Sequence, residues 1–475
     1  MLGRLNFVEK RDVLKLVSEK RVKIINLCHV PEDSHLKTLS FAVANEERVA
    51  QILEFGERVD GSSLFSSINP YESDVYIMPK IDSAFLNPFN QIPTLNIMCK
   101  YLDKNGNPLD IAPETILAKA EEKLHISTGL TLKALAELEF YIISKQESPA
   151  EASLFPSGSE AHYQESSPFS KFEGIRNEIL VTLDMIGIAT KYGHSEVGRI
   201  QGKNGTIMEQ HEIELTPQNL TDMAETVPVS KWVIRNVCAE HRASASFSPK
   251  IDQSHAGNGM HIHLCALRGS KNVIAKPDGS LSREVKVMIG GLLKFASSLT
   301  AFGNPTPVSY LRLSSQKETP MHICWGARNR QALIRIPLWW NFKTKKDIDT
   351  CKRTFEFRCA DPTANTHYLL AAITVAIEHG LSNPKESLET AQELHAENVG
   401  KPTKWFRLLP ESCSQSAVNL EKDREYYETA GVFPKTTIDN IIKRLESYND
   451  EALLEKLKHE PKKLDELIQK YLHFG

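Results

Sequence analysis

Hydrophobic and polar positions alternate in several short segments of the chain, and this alternation predicts β-strands. The clearest segment covers residues 134–143, whose Phe, Tyr and Ile content is typical of a buried strand. Glu137 and Glu139 lie two positions apart in it, so both carboxylates point to the same face. Two unit charges roughly 5 Å apart repel by about 3 kcal/mol at an effective dielectric of about 20. A divalent cation between them is therefore the simplest expectation, with one glutamate facing solvent at a strand end as the alternative.

Four further segments carry carboxylate or imidazole groups in the same alternating pattern, each after turn-forming residues. The candidate ligands in them are Glu196, then Glu209, Glu212 and Glu214, then His261 and His263, and finally Glu356. A single histidine or glutamate of this kind is more often a structural or a solvated residue. Their joint occurrence with Glu137 and Glu139 instead indicates one metal-binding constellation.

Arginines form the second half of this constellation. Arg312, Arg330 and Arg335 lie in segments rich in Ile, Leu and Trp, which is unusual for surface charges. Arginine makes bidentate contacts with carboxylates and phosphates, and it stays charged when desolvated. Carboxylates for metals together with arginines for anions are typical of phosphoryl transfer from a nucleotide. The alternative is a buried network of arginine and glutamate pairs.

The hydrophobic pattern divides the chain near residue 110. The elements predicted before it are a helix around residues 11–19, strands at 22–27 and 75–78, and a loop that carries Asp60. Those predicted after it are a helix at 113–124, a Ser- and Pro-rich loop at 146–168, and a charged helical tail from 438 to 472. We therefore expect a small domain, residues 1–110, followed by a large one, residues 111–475.

Composition and charge narrow the classes of function. The 475 residues are 41% hydrophobic, enough for a sizeable core, and the net charge of −3 gives no basic stripe for nucleic acid. Eight cysteines occur without C-x-x-C spacing, which argues against a zinc site or a disulfide framework. No apolar run is long enough to span a membrane, and the amino terminus lacks the apolar stretch of a signal peptide. We expect a cytoplasmic enzyme with no membrane or nucleic-acid partner.

In their order along the chain and in their residues, these segments resemble class I glutamine synthetase, the glutamate–ammonia ligase family. The motifs that carry the resemblance are Asp-Gly-Ser-Ser at 60–63, the Glu-x-Glu strand, Gln-His-Glu at 210–212, Gly-x-Gly-Met-His-x-His at 257–263, Asn-Pro-Thr at 304–306, Ala-Arg-Asn-Arg at 327–330 and Glu-x-Arg at 356–358. The segment before Gln210 is longer than is usual in the family, so Glu209 and Glu214 are rivals to Glu212, which fits the motif best. The glycine loop is the segment 256–259. In it, Ala256 and Asn258 replace the Asn and Ser that are usual in the family.

The resemblance implies an α+β fold. Its first part is a small amino-terminal β-grasp domain, and its catalytic domain has a curved, mainly antiparallel sheet flanked by helices, an arrangement shared with guanidino kinases. It also implies a homo-oligomeric ring, with two stacked hexamers making a homododecamer. In such a ring Asp60 of one subunit completes the active site of the next.

The resemblance further implies roles for individual residues. The first metal would be held by Glu139, Glu196 and Glu212, and the second by Glu137, His261 and Glu356. The substrates would be bound by Tyr163, Gly257, Arg312 and Arg358, and the nucleotide by His263, Arg330 and Arg335. The catalytic residues would be Asp60 and Glu318, which act on ammonium, and Arg330, which acts on the transferring group.

The implied activity is ATP-dependent ligation of ammonia to the γ-carboxylate of L-glutamate through a γ-glutamyl phosphate, with two or more Mg²⁺ or Mn²⁺ per site. This reaction is glutamine biosynthesis, a step of nitrogen metabolism. One alternative is a ligase that joins glutamate to an organic amine, a polyamine or a monoamine; retention of Asp60 and Glu318 counts against it. A second is a non-catalytic assembly protein, against which the complete ligand set counts.

Overall fold

The structure of the chain is a computed structural model. It describes residues 9–145, 158, 160–202, 205–315, 319–339, 353–396, 406–457 and 459–475. Within these residues no single helix has the length and apolar composition needed to cross a membrane, although the bent pair Arg283–Lys294 and Ala296–Gly303 meets that test when the two helices are taken together.

The first part of the chain is a six-stranded sheet with two helices packed against it. Its strands are β1 Ile24–His29, β2 Lys37–Ala42, β3 Glu57–Asp60, β4 Asp74–Pro79, β5 Phe85–Leu86 and β6 Thr94–Leu102, and its helices are α1 Lys10–Glu19 and α2 Glu46–Phe55. The strand order is β2-β1-β6-β4-β3, with β5 beside β6, and only β1 and β6 pair in parallel. Val13, Val49 and Ile97 are fully buried in the core between helices and sheet. The predicted helix and both predicted strands are confirmed to within two residues at each end.

The rest of the chain contains a ten-stranded sheet. Its strands are β7 Thr131–Lys145, β8 Thr190–Gln201, β9 Thr206–Leu215, β10 Gln218–Asn219, β11 Ser244–Ser246, β12 Met260–Arg268, β13 Lys271–Asn272, β14 His322–Ala327, β15 Ala332–Ile336 and β16 Phe355–Phe357. The main order is β14-β15-β16-β12-β7-β9-β8, and only β14 and β15 pair in parallel. The predicted α+β class and mainly antiparallel sheet are therefore confirmed.

Helices cover one face of this sheet and enclose its core. They are α3 Pro113–Thr128, α4 Glu173–Met185, α5 Leu220–Glu240, α6 Arg283–Lys294, α7 Ala296–Gly303, α8 Pro307–Leu313, α9 Thr366–Ser382, α10 Pro384–Glu393, α11 Cys413–Glu428, α12 Lys435–Glu446, α13 Leu453–Leu457 and α14 Pro461–Tyr471. Helix α9 is apolar on all sides because it packs between α3, α5 and α6. The helix predicted at 113–124 and the helical tail are both present.

The two parts are joined by polar and apolar contacts. Lys80 Nζ lies 2.6 Å from Glu225 Oε1 in a partly buried ion pair, and Asn365 Nδ2 donates to the backbone oxygen of Pro31 at 3.1 Å. A small hydrophobic cluster, with Met98 from the first part and Val229 from the second, lies beside them. The boundary near residue 110 stays a prediction.

The β8–β9 hairpin is irregular beside the candidate ligands. Ser195 faces His211, but Arg199 faces Glu209, so the three residues 196–198 of β8 stand opposite Gln210 alone. A bulge of this kind bends the strand while keeping its continuation in the sheet. Because the bulge adds two residues, Ser195 and Arg199 still share one face of the sheet.

Candidate active site

Strand register brings the candidate ligands together on the sheet face that is not covered by helices. The facing pairs across neighbouring strands are Glu137 with His261, Glu137 with Glu214, Glu139 with Glu212, His194 with Glu212, and His263 with Glu356. Facing side chains on neighbouring strands have Cβ atoms about 5 Å apart. Five strands distant in sequence thus contribute to one site.

A cavity of about 320 Å³ opens over this face. Of the residues predicted from the sequence, it is lined by Glu137, Glu139, Tyr163, Glu196, Glu212, Gly257, His261, His263, Arg312, Arg330, Arg335 and Arg358. Glu356 lies directly behind the lining and is fully buried. Glu318 lies outside the described residues.

One group of donor atoms comes from the β8–β9 hairpin. Donor atoms of His194, Glu196 and Glu212 all lie within 4.8 Å of one another. His194 Nε2 is 3.4 Å from Glu212 Oε1, and His194 Nδ1 is 3.7 Å from Glu196 Oε1. Two of these three residues were predicted as first-metal ligands, and His194 was not.

A second group comes from the centre of the sheet. Donor atoms of Glu137, His263 and Glu356 lie within 4.8 Å of one another. His261 is adjacent, because its Nδ1 lies 2.9 Å from Glu137 Oε2 and 3.6 Å from Glu356 Oε1. The structure therefore places both histidines of the His-x-His segment on Glu137, whereas the sequence assigned only His261 to the metal.

The electrostatics of the two groups fit divalent cations. Burial, reinforced by Glu137, Glu139 and other carboxylates, raises the pKa of Glu212 far above its usual range. Burial opposes ionisation of Glu137 too, but His263 and His261 outweigh it and hold its pKa well below the usual range. An ion bound by carboxylate oxygens and imidazole nitrogens would relieve this crowding, and Mg²⁺ and Mn²⁺ accept such donors.

The arginines lie around the same cavity. Arg335 and Arg358 form ion pairs with the two oxygens of Glu356. Arg312 is only 1% exposed, and its Nη1 donates to the backbone oxygens of Cys359 and Ala360 at 2.8 and 3.1 Å. The buried arginine–glutamate network considered as an alternative is thus present around Glu356, but it borders a cavity.

The glycine loop is pressed between the sheet and Arg312. A Cβ atom on Gly257 would lie 2.1 Å from the backbone oxygen of Pro249. A Cβ atom on Gly259 would lie 2.4 Å from Arg312 Nη2 and 2.8 Å from His261 Nε2. Both contacts are far shorter than van der Waals separation, so only glycine lets the loop approach these groups.

Gln210 connects the glycine loop to Glu139 through hydrogen bonds. Its Nε2 donates to the backbone oxygen of Gly257 at 3.0 Å, and it lies 3.2 Å from both Asn258 Oδ1 and Glu139 Oε2. Sequence analysis used Gln210 only as part of a motif and missed this role. The signal was present, since Gln210 and Glu212 are two positions apart on one strand face.

The three rival glutamates of β9 have different environments. Glu209 points to the opposite face, where it is fully buried, accepts from the backbone of Lys171 at 2.9 Å and lies 3.4 Å from Arg199 Nε. Glu214 shares the face of Glu212 but pairs with Lys191 Nζ at 2.6 Å. Of the three, only Glu212 belongs to a group of mutually adjacent donor atoms among the described residues, and its role as a metal ligand stays a prediction.

Asp60 lies away from this cavity in the same chain. It begins the short 3₁₀ turn Gly61–Ser63 and accepts hydrogen bonds from Ser63 Oγ at 2.6 Å and Ser62 Oγ at 2.7 Å. These hydroxyls lower the pKa of Asp60 to about 2, so it is ionised at neutral pH. Asp60 is not among the described residues that line the cavity.

Comparison with known proteins agrees with this architecture. The family model described as the glutamine synthetase catalytic domain matches residues 110–460, and the one described as the glutamine synthetase beta-grasp domain matches residues 21–104. A glutamine synthetase of Thermotoga maritima is 30% identical over 427 residues, covering 88% of this chain and 91% of its own. A 3-hydroxylaminophenol mutase of Cupriavidus pinatubonensis is 29% identical over 462 residues, covering 91% of this chain and 93% of its own.

A solved structure shows the same fold. The cryo-EM structure of Plasmodium falciparum glutamine synthetase superimposes with a TM-score of 0.79 at 22% identity, covering 94% of this chain and 97% of its own. Fold and relatives together define an enzyme of the ligase class that forms carbon–nitrogen bonds. The chain belongs to the glutamine synthetase family, as the resemblance of its motifs indicated.

Proposed function

We propose that this enzyme uses ATP to ligate ammonia to the γ-carboxylate of L-glutamate, giving glutamine, ADP and phosphate. The observation that carries the proposal is that two carboxylate–imidazole groups and the four arginines of the predicted set border one cavity. A cavity lined by arginines and by side chains that can bind metal ions suits transfer of a phosphoryl group. The reaction would serve nitrogen metabolism in the cytoplasm.

The proposed chemistry has two steps. The γ-carboxylate oxygen of glutamate attacks the γ-phosphorus of ATP, and ADP leaves, so that γ-glutamyl phosphate forms. Ammonia then attacks the acyl carbon and phosphate leaves with the bonding electrons. When bound, Mg²⁺ or Mn²⁺ would spread the charge of the transferring group; the residues that would hold the ions are those of the two donor groups.

The chain's own residues supply binding and orientation. Arg312 and Arg358 would pair with the carboxylates of glutamate, and the Gly257 backbone would border that substrate. Arg335 and Arg330 would stabilise the phosphates, with His263 beside them. These cations face a cavity with six carboxylates near it, so an anionic substrate would bind productively only together with the metals.

Ammonium is the third substrate in this scheme. Asp60 is exposed and ionised, so it can attract the ammonium cation once a second subunit brings it to the cavity. Glu318 would provide the other carboxylate and close the site against water. We therefore propose a homo-oligomeric ring, with two stacked hexamers as the assembly and active sites at subunit interfaces.

One observation favours a second candidate. Tyr163 and Tyr192 are 44% and 47% exposed, and both rings lie beside His194 at the cavity. These rings could pack against the carbon chain of an organic amine, so a ligase joining glutamate to a polyamine or monoamine is the alternative. The relative named a mutase shows that the scaffold also carries other activities.

The test is an acceptor panel with purified protein. Phosphate release is measured with ATP, Mg²⁺ and glutamate in the presence of ammonium, methylamine, ethylamine or putrescine at equal concentration, with each component omitted in turn. Ammonium should give the fastest release, with glutamine as the product. Faster turnover with an organic amine would replace the proposal by the alternative. Rearrangement of 3-hydroxylaminophenol without ATP, and no phosphate release, would overturn both.

A further inference from the structure

We propose that Lys191 is a further nucleotide-binding residue, whose ammonium group contacts the phosphate chain of ATP in the cavity. This inference rests on the proposed function, because it assumes that the phosphates lie beside Arg330 and Arg335. Lys191 belongs to β8 and lines the cavity. Among the lysine and arginine side chains of the described residues that line it, only Lys191 has no role in the proposed reaction.

A bulge at the start of β8 turns Lys191 into the cavity. Thr190 and Tyr192 face the consecutive residues 215 and 214 of β9, so Lys191 is an extra residue on β8. In a regular strand, consecutive side chains point to opposite faces. Lys191 and Tyr192 nevertheless both line the cavity. Bulges beside active sites re-aim side chains in this way.

Strand register places Lys191 at the end of the cavity that is remote from the glycine loop. The loop meets β7 at Glu139, whose N–H donates to the backbone oxygen of Gly259 at 3.2 Å. The row of facing residues that contains Tyr192 crosses β7 at Glu137, two positions further from the loop. Two positions along a strand correspond to about 7 Å. Lys191, which precedes Tyr192, thus lies beyond the part of the cavity where glutamate would bind.

The groups proposed to bind phosphate lie at the same end. Arg335 and His263 share a row of facing residues that crosses β7 at Leu135, two positions beyond Glu137 from the glycine loop. Arg335 belongs to β15 and Lys191 to β8, near opposite edges of the sheet, and both side chains line one cavity. A phosphate chain between these edges would therefore meet a cation on each side.

Lys191 is held at the cavity without being buried. Its Nζ lies 2.6 Å from Glu214 Oε1 and 5.0 Å from the centroid of the Tyr192 ring. Glu214 is 1% exposed, whereas 49% of the Lys191 side chain is exposed. An ammonium group carries three N–H donors, and the hydrogen bond to Glu214 uses one of them. The ion pair thus orients the side chain and leaves the ammonium group accessible to an anion.

The charge of Lys191 also neutralises Glu214, which faces Glu137 on the neighbouring strand. A carboxylate without a counter-charge would repel a phosphate at this end of the cavity. Lysine binds phosphate as a compact point charge. A purely structural ion pair would satisfy Glu214 equally well, but it would need neither the bulge nor a half-exposed ammonium group.

Calorimetric titration with nucleotides tests this contact. Wild type and Lys191→Met are titrated with the non-hydrolysable ATP analogue AMP-PNP in the presence of Mg²⁺, and separately with AMP, without glutamate or ammonium. Lys191→Met should bind AMP-PNP about 10-fold to 100-fold more weakly, which is the effect of one charge-assisted hydrogen bond, and bind AMP as wild type does. Lys191→Arg keeps the charge and should lose at most about threefold.

The matched control is Lys123→Met. Lys123 Nζ pairs with the buried Glu378 at 3.1 Å, and Lys123 is not among the described residues that line the cavity. This variant loses a similar ion pair and should keep wild-type affinity for both nucleotides.

Two results overturn the inference: an unchanged affinity of Lys191→Met for AMP-PNP, or an equal loss for AMP and AMP-PNP. Where thermal melting shows that Lys191→Met does not fold, Lys191→Gln is measured against the same criteria, and failure of both variants to fold assigns Lys191 a structural role instead. Wild type that binds no nucleotide overturns the proposed function as well. Wild type that binds AMP-PNP, with no change in Lys191→Met, overturns this inference alone.

Discussion

Arg335 Nη1 donates a hydrogen bond to Glu356 Oε2 at 2.8 Å, and this carboxylate is fully buried. The other oxygen of Glu356 accepts from Arg358. Burial alone would favour the neutral acid, but Arg358 and nearby groups hold the pKa of Glu356 below its usual range. The proposed metal ligand and two proposed anion-binding arginines are thus one electrostatic unit.

The first prediction concerns this unit. Glu356→Gln keeps the size of the side chain but removes the counter-charge of Arg358, which is buried, and of Arg335, which is partly exposed. Activity should fall by two orders of magnitude or more, and the free energy of unfolding should fall by about 3–5 kcal/mol. Chemical denaturation and phosphate release measure the two effects. The matched control is Glu214→Gln, because Glu214 is a buried glutamate on the same sheet face and belongs to neither donor group. An equally large loss of activity in that variant would contradict the assignment of Glu356 as a metal ligand.

The second prediction compares two glycines of one loop. In Gly259→Ala the new methyl group meets Arg312 Nη2 and His261 Nε2, which are side-chain atoms and not backbone, so the protein should fold with these side chains displaced and the KM for glutamate should rise by about 10-fold to 100-fold. In Gly257→Ala the methyl group meets the Pro249 backbone, which cannot move as easily, so stability should fall by about 1–3 kcal/mol.

Glutamate titrations and thermal melts separate the two variants. A Gly259→Ala protein with normal KM for glutamate would show that Arg312 does not bind that substrate. A Gly257→Ala protein of unchanged stability would contradict the close contact with Pro249.

The third prediction is a pH dependence of stability at Lys231. This side chain is 3% exposed in α5, and its Nζ donates to the backbone oxygen of Pro362 at 2.8 Å. Burial, aided by Arg235, lowers the pKa of Lys231 from 10.5 to about 7. Between these values the unfolded chain holds the proton and the folded chain does not, so this group makes stability rise with pH, by at most about 1.4 kcal/mol per pH unit. Below pH 7 both states hold the proton and the contribution is flat.

Replacing Lys231 by methionine removes the titration. Unfolding by urea at several pH values between 7 and 9.5 should show a smaller rise of stability with pH for Lys231→Met than for wild type. Identical slopes would mean that Lys231 stays charged in the folded chain.

The fourth prediction concerns Asp60, which is not among the described residues that line the cavity of its own chain. An Asp60→Ala chain and an Arg330→Ala chain should each be inactive alone. When subunits exchange in a mixture, some interfaces pair an intact Asp60 with an intact Arg330, so part of the activity should return. Fluorescence energy transfer between chains labelled with a donor dye and chains labelled with an acceptor dye follows the exchange. A fully active monomer, or no recovery after proven exchange, would remove the shared site.

Local strand geometry explains why much of the site was predictable. Side chains at i and i+2 share a face whatever the rest of the chain does, so Glu137 and Glu139 could be paired from the sequence. Residues three positions apart on a strand point to opposite faces, so Glu209 and Glu212 were expected on different faces. The structure places Glu209 on the face opposite to Glu212. His194 carries the same signal, two positions before Glu196, but it was not used.

Long-range contacts explain what could not be predicted. Glu212 and Glu214 are two positions apart and share one strand face, so the pattern of β9 does not distinguish them. Glu214 differs because it pairs with Lys191 on a neighbouring strand. Lys231 looks like a surface residue in sequence, and its burial depends on the packing of α5 beside the segment that contains Pro362. Contacts of this type depend on tertiary structure, which the pattern of one segment does not contain.

The bulge in the β8–β9 hairpin has a consequence for sequence variation. Its two extra residues leave every later side chain of β8 on its original face, whereas a single extra residue would exchange the two faces. Natural length changes inside this strand are therefore expected in even numbers, while changes after its last residue, Gln201, are free of that rule. A collection of related sequences with odd-length insertions between Glu196 and Ile200 and an unchanged ligand pattern would contradict this parity rule.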